Sequence, residues 1–582
     1  MTVRALAGLV AFNAFITAVG SGVLFAMRPY GSRRDALRLV GLAYVLGVAA
    51  LSVVFTLLLV VGLPITFAAI VLTGAGIFAF GLAVGRRRRD REDVPASPAG
   101  RRFLSIPSAA VLGLIAVAVE AIFRKARLQG LIEFDGWDSW GPKVKELFWT
   151  GHLPPDFLAP LPGGSYPPGL PAVLSAALHS IGSADVVTVH VQYWFFSLGF
   201  LAAIVGLLAT RVPPLVLLPF VLLILVMPDI RSRSVDMYGD LPLGYLIVTG
   251  AVLIALWLDD RQGWQLGAAA LVSAGAALTK REGVLLVGCV VVAGALASSD
   301  RLRFAWPRLG IVFASALAAS LTWYVWLRSN ALPGNGPSGG LHFLTDLDRG
   351  WASLRVVTKD LFNYDLRLVT GTMALAAVGL CLLAKAWRIA VFLGALLATC
   401  LFGSAVTIWS DPNISLDDVN LVSRLVGTVA LAAAAITPLA LGRAWVAMGL
   451  PGEHEGAPGA RSRWTPTIAT VIVAAAAVAY PAAVVAGGAP RFPTASDCVK
   501  PADRGPTLVV FGYEPSYPKA IELRDRVIAA GFASAQVSRD GCGRVRVFVA
   551  HVPARRVAEA LVRRASASGL AATIEDDPNA PD

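Results

Sequence analysis

Two carboxylates, Asp135 and Asp138, stand in a segment crowded with tryptophan, proline and lysine, IEFDGWDSWGPKVKELFWTGHLPPDFLAPLPGGSYPPGLPAVL, residues 132–174. Trp137, Trp140 and Trp149 suit the boundary between lipid and water, and Lys143 and Lys145 follow the acids closely. The run Tyr166-Pro167-Pro168-Gly169-Leu170-Pro171 stiffens the entry to the next apolar stretch. Rigid acids beside aromatic surfaces at a lipid boundary suit an active site; the plain alternative is a solvated loop. Two more acids, Asp236 and Asp240, lie in SVDMYGDLPLGY, where Asp240 before Pro242 also reads as a helix start. In LTKREGVLLV, Lys280, Arg281 and Glu282 interrupt apolar sequence, where uncompensated charge is costly. A bound phosphate would supply the counter-charge; snorkelling of the side chains to water is the competing account. Arg424, in SLDDVNLVSRLV, opens a later apolar run and can fork two hydrogen bonds to a phosphate.

Those residues need a membrane to position them. The chain has 582 residues, 56% of them hydrophobic and 15% charged, against roughly 25% charged in soluble domains. Spans are expected near 4–26, 37–61, 63–85, 104–123, 186–210, 212–228, 241–258, 265–279, 283–298, 309–327, 366–385, 388–408, 425–442 and 466–487. That makes an all-α polytopic membrane protein with about fourteen crossings, in which 265–279 and 283–298 are short enough for a broken or re-entrant pair. The net charge of +12 sits largely between spans and reads as topology, and no aromatic-rich basic domain points to nucleic acid. Arg28, Arg33, Arg34 and Arg38, the run Arg86 to Arg89, then Arg301, Arg303, Arg308, Lys385, Arg388, Arg443, Arg461 and Arg463 all fall on one side, expected to be cytoplasmic. The loops 124–185, 229–240, 328–365 and 409–424, and everything after 488, then lie outside, in or on the plasma (inner) membrane. Loop 328–365, with Asp346, Asp348, Arg349, Arg355 and Lys359, is expected to cover the site.

The chain divides into N-terminal helices and a basic loop (1–103), a module with the large external loop (104–330), a further loop and helices (331–487) and a soluble tail (488–582). The tail reads as βαββαβ, a small α+β, ferredoxin-like unit. Cys289, Cys381 and Cys400 lie in apolar runs, whereas Cys498 and Cys542 lie in the tail and can pair if it faces an oxidising compartment.

The string Asp135-Gly-Trp137-Asp-Ser-Trp140-Gly-Pro-Lys143, followed by Ser165-Tyr166-Pro167-Pro168-Gly-Leu170-Pro171, resembles the GT-C superfamily of membrane glycosyltransferases, which includes protein O-mannosyltransferases and the aminoarabinose transferase of lipid A. The segments around Asp240, Lys280 and Arg424 resemble later motifs of that group, and the likeness extends over roughly 104–430. It implies a sugar donor carried on polyprenyl phosphate and an acceptor hydroxyl on a cell-envelope glycan or protein. By register Asp135 is the base, with Asp138 its alternative and Asp240 in support. Lys280, Arg281 and Arg424 would hold the donor phosphate, and Trp137, Trp140, Lys143, Tyr166 and Asp236 would contact substrate. Some members use a divalent cation; no ligand set is visible here, so no metal is assigned. The layout of the tail and its pattern G(Y)…A…L…AAG…V…RVRVFVA resemble the SPOR domain, which implies contact with peptidoglycan glycan; the alternative is a small α+β appendage with no glycan role. Three other functions remain open: a transporter or flippase of lipid-linked sugar, an oligosaccharide polymerase or ligase, and a non-catalytic peptidoglycan-associated envelope protein.

Overall fold

Apolar runs of this length leave the backbone one choice in hydrocarbon, a helix that satisfies its own N–H and C=O groups. A computed structural model describes residues 3–89, 105–128, 133, 135–332, 342–411, 414–416, 419–448, 507–539, 544–552 and 555–576. The first part holds α1 (Val3–Met27), α2 (Arg33–Arg38), α3 (Val40–Val60), α4 (Phe67–Arg89), α5 (Ile106–Leu128), a π-helical turn (Gly136–Trp140), α6 (Gly141–Thr150), α7 (Pro155–Leu158), α8 (Gly169–Ile181) and α9 (Val186–Leu208). It continues through α10 (Pro214–Val226), α11 (Pro228–Arg233), α12 (Asp240–Asp260), α13 (Gly263–Thr279), α14 (Glu282–Leu296) and α15 (Leu302–Ser329). Then come α16 (Leu347–Leu361), α17 (Tyr364–Arg367), α18 (Thr370–Leu383), α19 (Trp387–Ser410) and α20 (Val419–Ala447).

Among the described residues nine helices are long and apolar enough to cross a bilayer: α1, α3, α4, α5, α9, α12, α15, α19 and α20. The chain is thus a multi-pass membrane protein. Helices also form at the expected spans 212–228, 265–279, 283–298 and 366–385, but they have only 13, 17, 15 and 14 residues. At 1.5 Å per residue the shortest reaches roughly 20 Å, less than a hydrocarbon core of about 30 Å. The expected span 466–487, Cys498 and Cys542 lie outside the described residues.

Helix α12 is the centre of the bundle. Every residue from Asp240 to Leu258 is buried, against α9, α13, α14 and α20. Its far end closes with acids on basic segments: Asp260 pairs with Arg211, and Asp259 with Arg443 at 2.5 Å. Helices α1 and α3 meet backbone to backbone, since a Cβ on Gly47 would lie 2.0 Å from the Ile16 carbonyl.

Two expectations about loops are corrected. Segment 124–185 is folded rather than open, because Leu170 to Leu178 form the buried apolar core of α8, packed on α1, α3 and α6. The Tyr166–Pro171 stretch therefore leads into α8, not directly into the next long span. Helix α20 begins at 419 instead of 425, which puts Arg424 within the helix. Helix α16 packs on α19 and α20, with Ser353, Val357 and Leu361 inward and Leu347 and Trp351 exposed.

The tail runs β1 (Thr507–Glu514), α21 (Tyr517–Ala529), β2 (Gln536–Arg539), β3 (Val545–Val552), α22 (Arg555–Ala567) and β4 (Thr573–Asp576). Its antiparallel sheet has the order β2-β3-β1-β4, so the small C-terminal sheet expected from the alternating strands is present. Val509, Phe511, Leu523, Val527, Val547 and Ala558 form the core between sheet and helices.

Candidate functional site

Packing inside the first large segment decides where Asp135 stands. The residue directly precedes the π-helical turn, a local geometry that recurs at functional sites. Trp140, the last residue of that turn, is fully buried and stacks on Tyr166 with ring centres 5.6 Å apart. A Cβ on Gly239 would lie 2.7 Å from the Trp140 ring, so the glycine lets the start of α12 close against the turn. Lys143, also fully buried, donates from Nζ to the carbonyls of Gly163 (2.7 Å) and Tyr166 (3.1 Å). Burial pulls the Lys143 pKa down to about 7. The Trp323 indole donates to the Ser165 carbonyl at 2.9 Å and fixes the same strip of chain from α15.

The start of α12, the end of α13 and the starts of α14 and α20 meet at one end of the bundle. Asp240 is their common partner. Its Oδ1 accepts from Lys280 Nζ at 2.8 Å, and its Oδ2 accepts from Arg424 Nε at 3.0 Å and lies 2.9 Å from Arg424 Nη2. Asp240 is the first residue of α12, as the helix-start reading has it, and its carboxylate is in addition the partner of Lys280 and Arg424. Arg424 Nη2 also donates to Asp135 Oδ2, and the guanidinium lies 4.3 Å from the centre of the Tyr238 ring. Lys280 Nζ is 3.9 Å from Glu282 and 5.8 Å from the Tyr166 ring. Burial opposes the charge on Lys280, but Asp240 and Glu282 more than offset it and hold the pKa above the ordinary lysine value. Burial likewise raises the Tyr166 and Tyr238 phenols.

The two accounts of the 280–282 turn divide between its residues. Lys280 is 4% exposed and paired inward, whereas the Arg281 side chain is 43% exposed, reaching Glu282 at 3.8 Å and the Tyr166 ring at 5.5 Å. Within the network three carboxylates (Asp135, Asp240, Glu282) meet three cations (Lys280, Arg281, Arg424).

Asp135, Asp240, Lys280, Arg281, Arg424 and Tyr166 are therefore brought together. Asp138 turns inward and is buried. Asp236 stands outside the network, 3.7 Å from Lys125 at the end of α5. The side chain of Trp137 lies outside the described residues. Trp140 and Lys143, expected to touch substrate, are both fully buried, Trp140 against Tyr166 and Lys143 on the carbonyls of Gly163 and Tyr166. Among the described residues no group of three or more His, Cys, Asp or Glu side chains is arranged to hold a metal ion.

Sequence reasoning missed a second buried network behind the first. Arg367 is fully buried and donates to Asp229 (2.5 Å), to Asp360 (2.6 and 3.1 Å) and to the carbonyl (2.6 Å) and hydroxyl (2.9 Å) of Ser423. Arg233 adds a 2.8 Å pair to Asp229 and a 3.0 Å bond to Asn420 Oδ1. The available signal was an arginine at the mouth of the expected span 366–385, where charge is costly without a partner. A buried pair between Glu133 and His190, 3.3 Å apart, was missed as well.

No family model, curated protein or solved structure matches the chain.

Proposed function

We propose that this chain is a membrane glycosyltransferase of the GT-C kind, which moves a sugar from a polyprenyl-phosphate donor to a hydroxyl of a cell-envelope acceptor. One observation carries the reading: Asp135, Asp240, Lys280 and Arg424, taken from four separate motif-like segments, join in one ion-pair network at one end of the bundle. Asp135 accepts the proton of the acceptor hydroxyl. The hydroxyl oxygen bonds to the anomeric carbon as the bond from that carbon to the phosphate oxygen breaks, with inversion. Lys280 and Arg424 balance the charge that grows on the departing lipid phosphate, and exposed Arg281 meets it from the rim. Asp240 holds both cations in place, while Trp140, Lys143 and Tyr166 hold the segment that carries Asp135.

In this reading the basic segments face the cytoplasm, which leaves this end of the bundle and the tail on the outer side of the plasma membrane. In this reading the short helices and segment 466–487 bring the crossings to about fourteen. The βαββαβ order and β2-β3-β1-β4 sheet of the tail agree with a ferredoxin-like split fold. Arg544 over Tyr513 (4.2 Å), both half-buried, offers an aromatic and cationic surface that a glycan strand would meet.

The test adds labelled polyprenyl-phosphate sugars to the purified full chain in nanodiscs. Wild-type protein releases or transfers sugar, and Asp135→Asn lowers turnover about 10²- to 10⁴-fold, the range for loss of a general base. Undiminished turnover in the variant removes the base assignment. Sugar carried across a liposome membrane without release from its phosphate would replace the enzyme with a transporter.

A further inference from the structure

The cations that would receive a phosphate are already engaged. Lys280 is held by Asp240, and Arg424 by Asp240 and Asp135 together. The two acids differ in how firmly they are held. Asp240 has three close contacts to two cations and a side chain 9% exposed. Among the described residues Asp135 has Arg424 as its one ion-pair partner, and its side chain is 20% exposed. It also directly precedes the π-helical turn Gly136–Trp140. Arg424 Nη1 makes no hydrogen bond among the described residues, so an anion can approach the guanidinium before any existing bond is broken.

We infer that Asp135 is a resident counter-ion of Arg424 that the phosphate group of a polyprenyl phosphate displaces, the sugar-bearing diester as well as the bare monoester, so that donor binding itself releases the base. This rests on the glycosyl-transfer reading and deepens it. A carboxylate bound to a guanidinium is a poor base, because accepting a proton forfeits the charge-assisted bond. Once phosphate takes the Arg424 fork, Asp135 loses that bond, and its oxygen is free to accept from an acceptor hydroxyl. Chemistry is thereby tied to the presence of the donor: an acceptor hydroxyl, or water, that arrives first meets a carboxylate still occupied. Asp240 does not exchange, since leaving would unpair Lys280 as well.

The experiment titrates the full chain in zwitterionic nanodiscs with a polyprenyl monophosphate and, in a second arm, with inorganic phosphate. Asp135→Asn binds the lipid phosphate about tenfold more tightly than wild type, because no resident carboxylate competes for the cation. Asp156→Asn, an exposed acid of α7 in the same folded segment, leaves affinity unchanged. The gain disappears in the Arg424→Gln background. Tightening in both arms means the phosphate group suffices; tightening in the lipid arm alone identifies the membrane-borne ester as the displacing anion. A second measurement uses wild-type protein, so it does not depend on a variant folding. Modification of Asp135 by a carboxyl-selective isoxazolium reagent, read by peptide mass spectrometry, rises several-fold when polyprenyl phosphate is added, while Asp156 does not change. Unchanged or weaker binding by Asp135→Asn overturns the exchange. So does tighter binding without a rise in labelling, which would mean simple charge repulsion. Absence of phosphate binding by wild type and variant alike would bring down the phosphate-donor reading itself.

Discussion

Two buried ion networks lie back to back at one end of the bundle, and they are built to opposite ends. The Arg367 network is closed: its central guanidinium is inaccessible, and Asp229, Asp360 and Ser423 consume its donors. The Asp135–Arg424–Asp240–Lys280 network is open: Asp135 is partly exposed, Arg424 keeps a free edge among the described residues, and Arg281 reaches solvent. Both contain charges that would be ruinous if left unpaired in a low dielectric. A closed network spends all its bonding capacity on holding helices together; an open one leaves some for a ligand.

Substitutions can break or sharpen that contrast. The largest expected effect is on chemistry. Asp135→Asn removes turnover by the factor given above while shifting the thermal midpoint of the purified protein little. The next largest is on stability. Arg367→Met takes the cation from buried Asp360 and leaves Asp229 with Arg233 alone, and loss of one partner from a buried pair costs about 3–5 kcal/mol; the readout is yield of monodisperse protein and unfolding temperature. If Arg367→Met instead folds normally and loses only activity, the distinction between the two networks fails.

A third prediction concerns pH and the Lys143 staple. Burial lowers the folded pKa of Lys143 from 10.5 to about 7, so between those values the unfolded segment binds more protons than the folded one. The contribution of this group to stability therefore rises with pH across that window and is flat below it. Hydrogen exchange of 141–166 should slow as pH climbs through the window, after correction for intrinsic exchange, and Lys143→Met should flatten the dependence. The smallest expected effect belongs to Arg281→Ala. The side chain is largely in water, so stability changes by no more than ~0.5 kcal/mol, and the consequence is confined to a modest rise in KM for the lipid donor.

Much of this was legible in the residues alone. Uninterrupted apolar runs located helices at nearly all the expected spans, and the alternating strands of the tail were visible for the same reason. Lys280 stood out because charge inside apolar sequence is costly, Asp135 because aromatic residues and prolines surround it, and Asp240 and Arg424 because each stands at the start of an apolar run in a motif-like segment. Which partners they choose was not legible. Asp240 before Pro242 has the local signature of a helix start, and only tertiary contact reveals that its oxygens face Lys280 and Arg424. Helix α8 escaped notice because thirteen residues fall short of a bilayer crossing, yet they are enough to bury a face on α1 and α3. Trp140 and Lys143 sit among prolines and glycines in a stretch that looks solvated; the stacking and carbonyl contacts that bury them come from residues about twenty positions downstream and from Gly239.

The bond between Asp135 and Arg424 joins residues 289 positions apart. At ribosomal speeds of about 5–20 residues per second, the aspartate emerges roughly 15–60 s before its arginine exists. Asp240 and Lys280 can find each other early, but the outer carboxylate must wait in water until α20 has been made and inserted. A chain stalled short of that helix carries Asp135 without the cation it pairs with. Completion of this corner thus waits for the last long helix among the described residues.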